Sequence, residues 1–187
     1  MKEKIMPPLV LMLICSVCCA LLVIAYELTY VDTTGMVTDK MKESLVEIYG
    51  TSDGFEMLKN EDGTVNSLDA AADKAKVDSV LRDANGRCAF EITASGYSKD
   101  GLYMLVGIDE NGAVKGVSIM SIGETPGLGT KVQDDKFKGQ FSGMAEPSAA
   151  DTADNVTGAS RSSKGMKGAI KLALETYAAK KEVIFGE

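Results

Sequence analysis

Apolar and polar positions divide the chain into a long apolar run, a short amphipathic segment and a region of strand-like runs. The apolar run, residues 7–26, contains no charged residue and has the length that an α-helix needs to cross a bilayer. A cleaved signal peptide has a shorter apolar region of about 7–15 residues, followed by a small-residue cleavage site. Because the chain shows neither feature, we predict a retained transmembrane anchor, with residues 1–6 as a cytoplasmic tail.

Basic residues predict the orientation of this anchor. Lys2 and Lys4 precede the apolar run, and the first basic residue after it is Lys40. Short cytoplasmic flanks of membrane helices are enriched in Lys and Arg. We therefore expect a single-pass protein of the cell membrane, with its amino terminus in the cytoplasm and residues 27–187 outside the cytoplasm.

For residues 27–86, the sequence pattern predicts a membrane-proximal helix followed by an irregular region. The helix is expected over residues 39–49, where apolar residues recur at helical spacing. These residues are Met41, Leu45 and Ile48. We expect this apolar stripe to pack on its own domain. Residues 50–86 are rich in Gly, Asp, Ala and Asn, and we expect one helix there, near Ala70–Leu81.

Strand signals begin at Arg87. Three runs are dense in β-branched and aromatic residues: 87–94, 102–109 and 113–121. Between the last two, Asn111-Gly112 supplies the positive φ angles of a tight β-hairpin. Residues 122–143 are rich in glycine and predict a long loop.

The last predicted element is a helix that follows Ser160. Its apolar face is formed by Met166, Ile170, Ala173, Leu174 and Tyr177. Strands followed by this helix give an α+β domain over residues 87–187, with an antiparallel sheet and flanking helices.

Composition excludes several classes of function. The chain has no histidine, which removes the commonest general base, and its net charge of −7 argues against a nucleic-acid surface. Three of the four cysteines lie inside the apolar run, where they cannot complete a four-ligand metal site by themselves: Cys15, Cys18 and Cys19. Cys88 is the remaining thiol, so the outer region cannot form an intramolecular disulfide. We expect no metal site and no catalytic residue.

Two motifs carry candidate chemistry. Residues 124–129 read Glu-Thr-Pro-Gly-Leu-Gly, where proline fixes a turn and the glycines permit close approach of the backbone to a flat ligand. Residues 157–163 read Thr-Gly-Ala-Ser-Arg-Ser-Ser at a helix start, where unpaired N–H groups and the helix dipole favour a phosphate. Arg161 and Lys164 add positive charge nearby. Each motif alone is also typical of an ordinary loop or of helix capping.

Together, the two motifs and the single anchor resemble the FMN-binding domain family. This family includes RnfG of the Rnf ion-translocating electron transport complex and the related FMN-carrying subunit of the sodium-translocating NADH:quinone reductase. The resemblance implies that residues 87–187 form an FMN-binding domain. It also implies that a separate flavin transferase attaches FMN from FAD, as a phosphoester, to the hydroxyl that ends the Thr-Gly-Ala-Ser motif. Here that residue is Ser160, where many members have threonine, and both side chains can carry a phosphoryl group.

The resemblance also assigns the flavin's neighbours. Thr125 and Leu128 would touch the ring, and Thr157 and Gly158 would shape the phosphate end. The cofactor-binding residues implied in this way are Glu124, Thr125, Gly127, Leu128, Gly129, Thr157, Gly158, Ala159 and Ser160.

By the same resemblance, the chain is an electron-relay subunit of an Rnf complex that couples ferredoxin:NAD oxidoreduction to sodium or proton translocation. Its partners would be the other membrane subunits, with ferredoxin and NAD bound by them, since this chain carries no GxGxxG fingerprint. Three alternatives stay open. The chain could be the FMN-carrying subunit of the quinone reductase, a membrane-anchored extracellular flavin reductase without ion pumping, or a non-redox anchor in which Ser160 only caps its helix.

Overall fold

The computed structural model describes residues 2–29 and 35–186, without the side chains of residues 2–9 and 27–29. The chain divides into two compact units, Met1–Thr33 and Thr34–Glu187. The first unit contains helix α1 (Lys2–Thr29), which extends beyond the predicted apolar run at both ends. Within the described part of the chain, no helix has both the length and the apolarity that a membrane crossing requires. The first three residues of the predicted span, 7–9, lie outside the described side chains.

The second unit is an antiparallel sheet with helices on both faces, which confirms the α+β class. Its strands are β1 (Glu56–Met57), β2 (Ala71–Ala72), β3 (Ala75–Arg82), β4 (Cys88–Ala94), β5 (Leu102–Ile108) and β6 (Val114–Ile122). The strand order is β1-β3-β4-β5-β6, with β2 paired to β3. The helices are α2 (Asp39–Tyr49), α3 (Asp135–Lys138) and α4 (Ser160–Phe185). Short 3-10 helices cover Gly129–Gln133, Gly139–Phe141 and Pro147–Thr152.

Alternation along the strands explains why both faces are covered. Successive side chains of a strand point to opposite faces, so Phe90 and Ile92 of β4 pack under α4 while Ala89 faces α2. The larger core includes Met104, Val106, Met166, Ile170 and Leu174. The predicted apolar face of the last helix is confirmed, because all five of its residues are buried.

Helix α2 covers the opposite face of the sheet, mainly over β5 and β6. Leu45 and Ile48 pack there with Phe55, Leu81 and Leu105. Its bounds and its buried stripe agree with the amphipathic pattern in the sequence. The expectation that this stripe packs on its own domain is therefore confirmed.

The prediction of a helix near Ala70–Leu81 is wrong, because this segment forms β2 and most of β3. Ala75 and Val77 are buried and Lys76 between them is exposed, as a half-buried strand requires. A register shift after Val77 turns the rest of the strand into a mostly buried run paired with β4. Local Ala, Lys and Asp content favours a helix, and pairing with a distant strand overrides it. The sheet thus begins earlier in the chain than residue 87.

The connections differ from the sequence prediction in two details. The long loop expected over residues 122–143 contains short helices, because Val132, Phe137 and Phe141 are buried in the core. The predicted β5–β6 hairpin is confirmed, but of its Asn-Gly pair only Gly112 has a positive φ, at 85°.

Candidate functional site

Three segments from distant parts of the sequence enclose a cavity of about 520 Å³. They are the turn between β4 and β5, the loop that follows β6, and the first turn of α4. The cavity is lined by Tyr97, Glu124, Thr125, Leu128, Gly129, Gly158, Ala159, Ser160, Arg161 and Ser162. The two motifs identified in the sequence therefore meet in space.

Most of the site residues expected from the sequence line this cavity, but Gly127 and Thr157 do not. Sequence reasoning missed Tyr97, gave Ser162 no role of its own within the second motif, and treated Arg161 only as a nearby charge. Tyr97 lies in the short turn between two predicted strands, with 67% of its surface exposed. The sequence did contain one sign that Tyr97 could belong to a site, namely a large aromatic residue in a turn beside a glycine. That signal does not say which distant loop the residue faces.

The buried carboxylate of Glu124 ties the three segments together. It accepts hydrogen bonds from the backbone N–H groups of Tyr97 and Ser98, both at 3.1 Å. It also accepts one from the hydroxyl of Ser162 on α4. Hydrogen bonds to an ionised acceptor are stronger than neutral ones. Because both carboxylate oxygens are engaged by the protein, Glu124 positions the walls of the cavity.

Glycines make room for this carboxylate. A Cβ atom at Gly129 would lie 2.7 Å from Cβ of Glu124 and 2.9 Å from Oγ of Ser162. At Gly96 and Gly101 it would lie 2.7 and 2.5 Å from Oε1 of Glu124. These separations are shorter than a Cβ atom tolerates, so a side chain at any of the three positions would displace the Glu124 side chain.

Gly127 is glycine for a different reason. A Cβ atom there would meet nothing within 4 Å, but φ is +74°, in the left-handed region that favours glycine. Its N–H donates to Oγ1 of Thr130 at 2.9 Å, which closes the turn. Gly127 shapes the loop, whereas Gly129 shapes the cavity.

Ser160 is the first residue of α4, and its side chain is exposed. The N-cap position belongs to Ala159, which has no hydroxyl and makes no side-chain cap. Among the described residues, no hydrogen bond involves the Ser160 hydroxyl. The expectation, within the non-redox alternative, that Ser160 caps its helix is therefore wrong. The nearby hydroxyl with a local backbone partner is that of Ser163, which accepts the N–H of Val156 at 3.0 Å.

The start of α4 suits a phosphate. Within the described part of the chain, no backbone acceptor pairs with the N–H groups of Ser160, Arg161 and Ser162. Unpaired N–H groups and the positive end of the helix dipole favour an anion at this place. Gly158, with φ at +80°, lets the backbone turn into the helix beside Leu128.

These features fit FMN. The cavity, at about 520 Å³, falls within the range of about 300–1,000 Å³ that is common for cofactor sites. The unpaired amides match its phosphate, and the unbonded hydroxyl of Ser160 is available for a phosphoester. The exposed side chains of Tyr97 and Leu128 offer apolar surface for a flat ring.

Comparisons with known proteins agree with this geometry. Residues 96–175 match the model of the FMN-binding domain family. The fold is similar to the crystal structure of NqrC from Shewanella oneidensis, with a TM-score of 0.57 and 12% sequence identity over 80% of this chain and 98% of that chain. A search of curated protein sequences finds no significant match. Every residue that lines the cavity falls within the segment that is similar to the FMN-binding domain family.

Proposed function

We propose that this chain is a membrane-anchored electron-relay subunit of an Rnf-type complex that couples ferredoxin:NAD oxidoreduction to sodium or proton translocation. In this proposal it carries FMN covalently on Ser160. The supporting observation is an exposed hydroxyl without a hydrogen bond among the described residues, on the wall of a flavin-sized cavity and beside unpaired helix amides. FMN supplies reversible electron transfer when bound, and the chain's own residues hold and orient it.

Ser160 provides the point of attachment. Its Oγ would accept the FMN phosphoryl group from FAD, so that an O–P bond forms, the bond to AMP breaks and the hydroxyl proton passes to the medium. The amides of Ser160, Arg161 and Ser162 would stabilise the resulting phosphodiester charge. The chain has no histidine to serve as a general base, which agrees with delivery by a separate flavin transferase.

Other cavity residues would hold the ring. Leu128 is 48% exposed and Tyr97 is 67% exposed, and both flank the cavity. Apolar surface of this kind is stabilised when a ligand covers it. Thr125 lines the cavity from the loop after β6. Glu124 holds the three segments together through its hydrogen bonds.

Residues 7–26 would anchor the domain to the cell membrane, with the amino terminus in the cytoplasm. This part of the proposal is supported by the absence of charge from residue 7 to residue 26 and by Lys2 and Lys4 before it. An anchor without Asp, Glu, Lys, Arg or His offers no charged path for ions. We therefore assign ion movement, ferredoxin and NAD to other subunits of the complex.

Two related functions use the same site. The chain could serve as the FMN-carrying subunit of a sodium-translocating NADH:quinone reductase, and the fold likeness to NqrC favours keeping this alternative. It could also serve as an extracellular flavin reductase without ion pumping. Purification from native membranes distinguishes the three functions, because the co-purifying subunits would be those of an Rnf complex, those of a quinone reductase, or neither.

Mutation of Ser160 tests the attachment. The full chain, co-expressed with a flavin transferase, should show in-gel flavin fluorescence after denaturation and an intact mass raised by one FMN less one water. Ser160→Ala should lose both signals, because alanine has no oxygen for a phosphoester, and Ser160→Thr should keep them. Thr157→Ala is the matched control and should stay fluorescent. Fluorescence that survives in Ser160→Ala would show that the attachment site is another residue.

A further inference from the structure

Two side chains from different segments meet at the cavity. The guanidinium carbon of Arg161, in the first turn of α4, lies 5.6 Å from the ring centroid of Tyr97, in the β4–β5 turn. This separation is within the range of about 6 Å for a cation–π contact. Both residues line the cavity, and both are exposed.

Arg161 has no anionic partner in the described part of the chain. None of the ion pairs found there includes it. The carboxylate that lines the same cavity belongs to Glu124, and its oxygens are already bonded to two backbone amides and to Ser162. Among the described residues, the cavity is therefore lined by one anion that is fully engaged and by one cation that forms no ion pair with the protein.

We propose that Arg161 raises the reduction potential of the bound flavin, and that Tyr97 is the positioning residue that keeps the guanidinium at the cavity. This inference rests on the proposed function, in which FMN occupies the cavity. A flavin that takes up two electrons and one proton from an external reductant gains one negative charge. A cation beside the ring stabilises that charge and so favours the reduced form.

The size of the effect follows from Coulomb's law. Taking about 6 Å between the guanidinium and the ring as an order-of-magnitude value, two unit charges change an equilibrium by a factor of about three in bulk water, and by about a hundred at the effective dielectric near a protein surface. We therefore expect at least a threefold change in the ratio of reduced to oxidised flavin. For a two-electron couple, a threefold change corresponds to about 14 mV and a tenfold change to about 30 mV.

The test measures the midpoint potential of the flavinylated full chain by spectroelectrochemical titration against reference dyes. Arg161→Gln should lower the potential by at least the threefold equivalent, and Arg161→Lys, which keeps the charge, should shift it less. Lys164→Gln is the matched control, since it removes one positive charge one turn further along α4, from an exposed side chain that does not line the cavity. Because its charge lies further away, it should shift the potential clearly less than Arg161→Gln does.

Tyr97 gives a second, independent arm. Tyr97→Leu leaves the charge of Arg161 in place but removes the ring that holds it, so the potential should fall, whereas Tyr97→Phe should keep the wild-type value. Because Tyr97 also lines the cavity, the Arg161→Gln, Tyr97→Leu double variant separates the two roles: if Tyr97 acts through Arg161, the double variant should fall no further than Arg161→Gln alone. If Arg161→Gln takes up too little flavin for a titration, the comparison of Tyr97→Leu with Tyr97→Phe tests the inference instead. An unchanged potential in Arg161→Gln, an equal shift in Lys164→Gln or an unchanged potential in Tyr97→Leu would overturn the inference. A wild-type chain without attached FMN, seen by intact mass, would instead overturn the proposed function on which it rests.

Discussion

The hydroxyl of Ser162 donates a hydrogen bond to the carboxylate of Glu124, and this bond joins the first turn of α4 to the loop that follows β6. The same carboxylate accepts hydrogen bonds from the backbone N–H groups of Tyr97 and Ser98. One buried side chain thus sets the relative positions of three segments that are far apart in the sequence.

Glu124→Gln should open the cavity. A glutamine amide presents one acceptor oxygen and an NH2 group where the carboxylate presents two acceptors, so at least one donor is left unpaired. We expect a loss of about 1–3 kcal/mol in the free energy of unfolding and less covalent flavin at equal protein. Thermal unfolding and in-gel fluorescence measure the two effects. Glu110→Gln, at an exposed hairpin turn, is the control, and equal behaviour of the two variants would contradict the prediction.

Gly129→Ala and Gly127→Ala should differ although they are two residues apart. The added methyl group at Gly129 meets Glu124 and Ser162, so flavin incorporation should fall together with the melting temperature. At Gly127 the methyl group has open space, and the cost is the left-handed backbone, about 1–2 kcal/mol. Gly127→Ala should therefore keep its flavin. Loss of flavin in both variants, at equal stability, would show that the loop acts as a unit.

The turn between β3 and β4 should make stability depend on pH. Asp83 is buried and pairs with Arg87 at 2.5 Å, and it accepts the N–H groups of Asn85 and Arg87. Burial alone raises the pKa of Asp83, but these hydrogen bonds outweigh it and hold the pKa below the ordinary value of about 3.9. The stabilisation is therefore fully present above about pH 4, and it is lost as the pH falls through the folded-state pKa.

Asp83→Asn tests this dependence by urea unfolding. At pH 7 the variant should lose about 1–3 kcal/mol, because a charged hydrogen-bond acceptor is removed from a buried site. The difference from wild type should shrink as the pH falls below about 4. Asp73→Asn, at an exposed position, serves as the control. A difference that stays constant from pH 7 to pH 3 would show that the ionised form of Asp83 is not what stabilises the turn.

Protease accessibility tests the proposed topology. Protease added to intact cells or to right-side-out vesicles should remove the domain after residue 34, because Lys2 and Lys4 hold the amino terminus inside. Amino-terminal sequencing of the mature protein should begin before residue 7. A mature amino terminus near residue 27 would identify a cleaved signal peptide, and protection of the domain would reverse the orientation.

The sequence predicted those helices and strands whose apolar residues follow a regular local spacing. Helical spacing identified α2 and the buried face of α4, and dense β-branched residues identified β4, β5 and β6. The same reasoning wrongly predicted a helix where β3 forms. This segment is a strand because it pairs with β4, and its own composition does not indicate a strand.

The site shows the same limit. Glycine, proline and hydroxyl residues marked its two loops, since each loop needs an unusual backbone or a helix start. The role of Glu124 was not visible in the sequence, because its partners are backbone amides of a turn in another part of the chain. The contact between Tyr97 and Arg161 was missed for the same reason, since it exists only after the sheet has placed the β4–β5 turn beside α4.

Helix α4 begins at Ser160 and continues for 26 residues, which is about 39 Å at the usual rise per residue. Half of its length is buried in the core, including Met166, Ile170 and Leu174. When FMN is attached to this turn as proposed, its phosphoester is therefore fixed to a rigid base. With the ring held in the cavity, its tunnelling distance to a second redox centre would change only when the whole domain moves, so a partner would either stay permanently within range or bring the domain to itself.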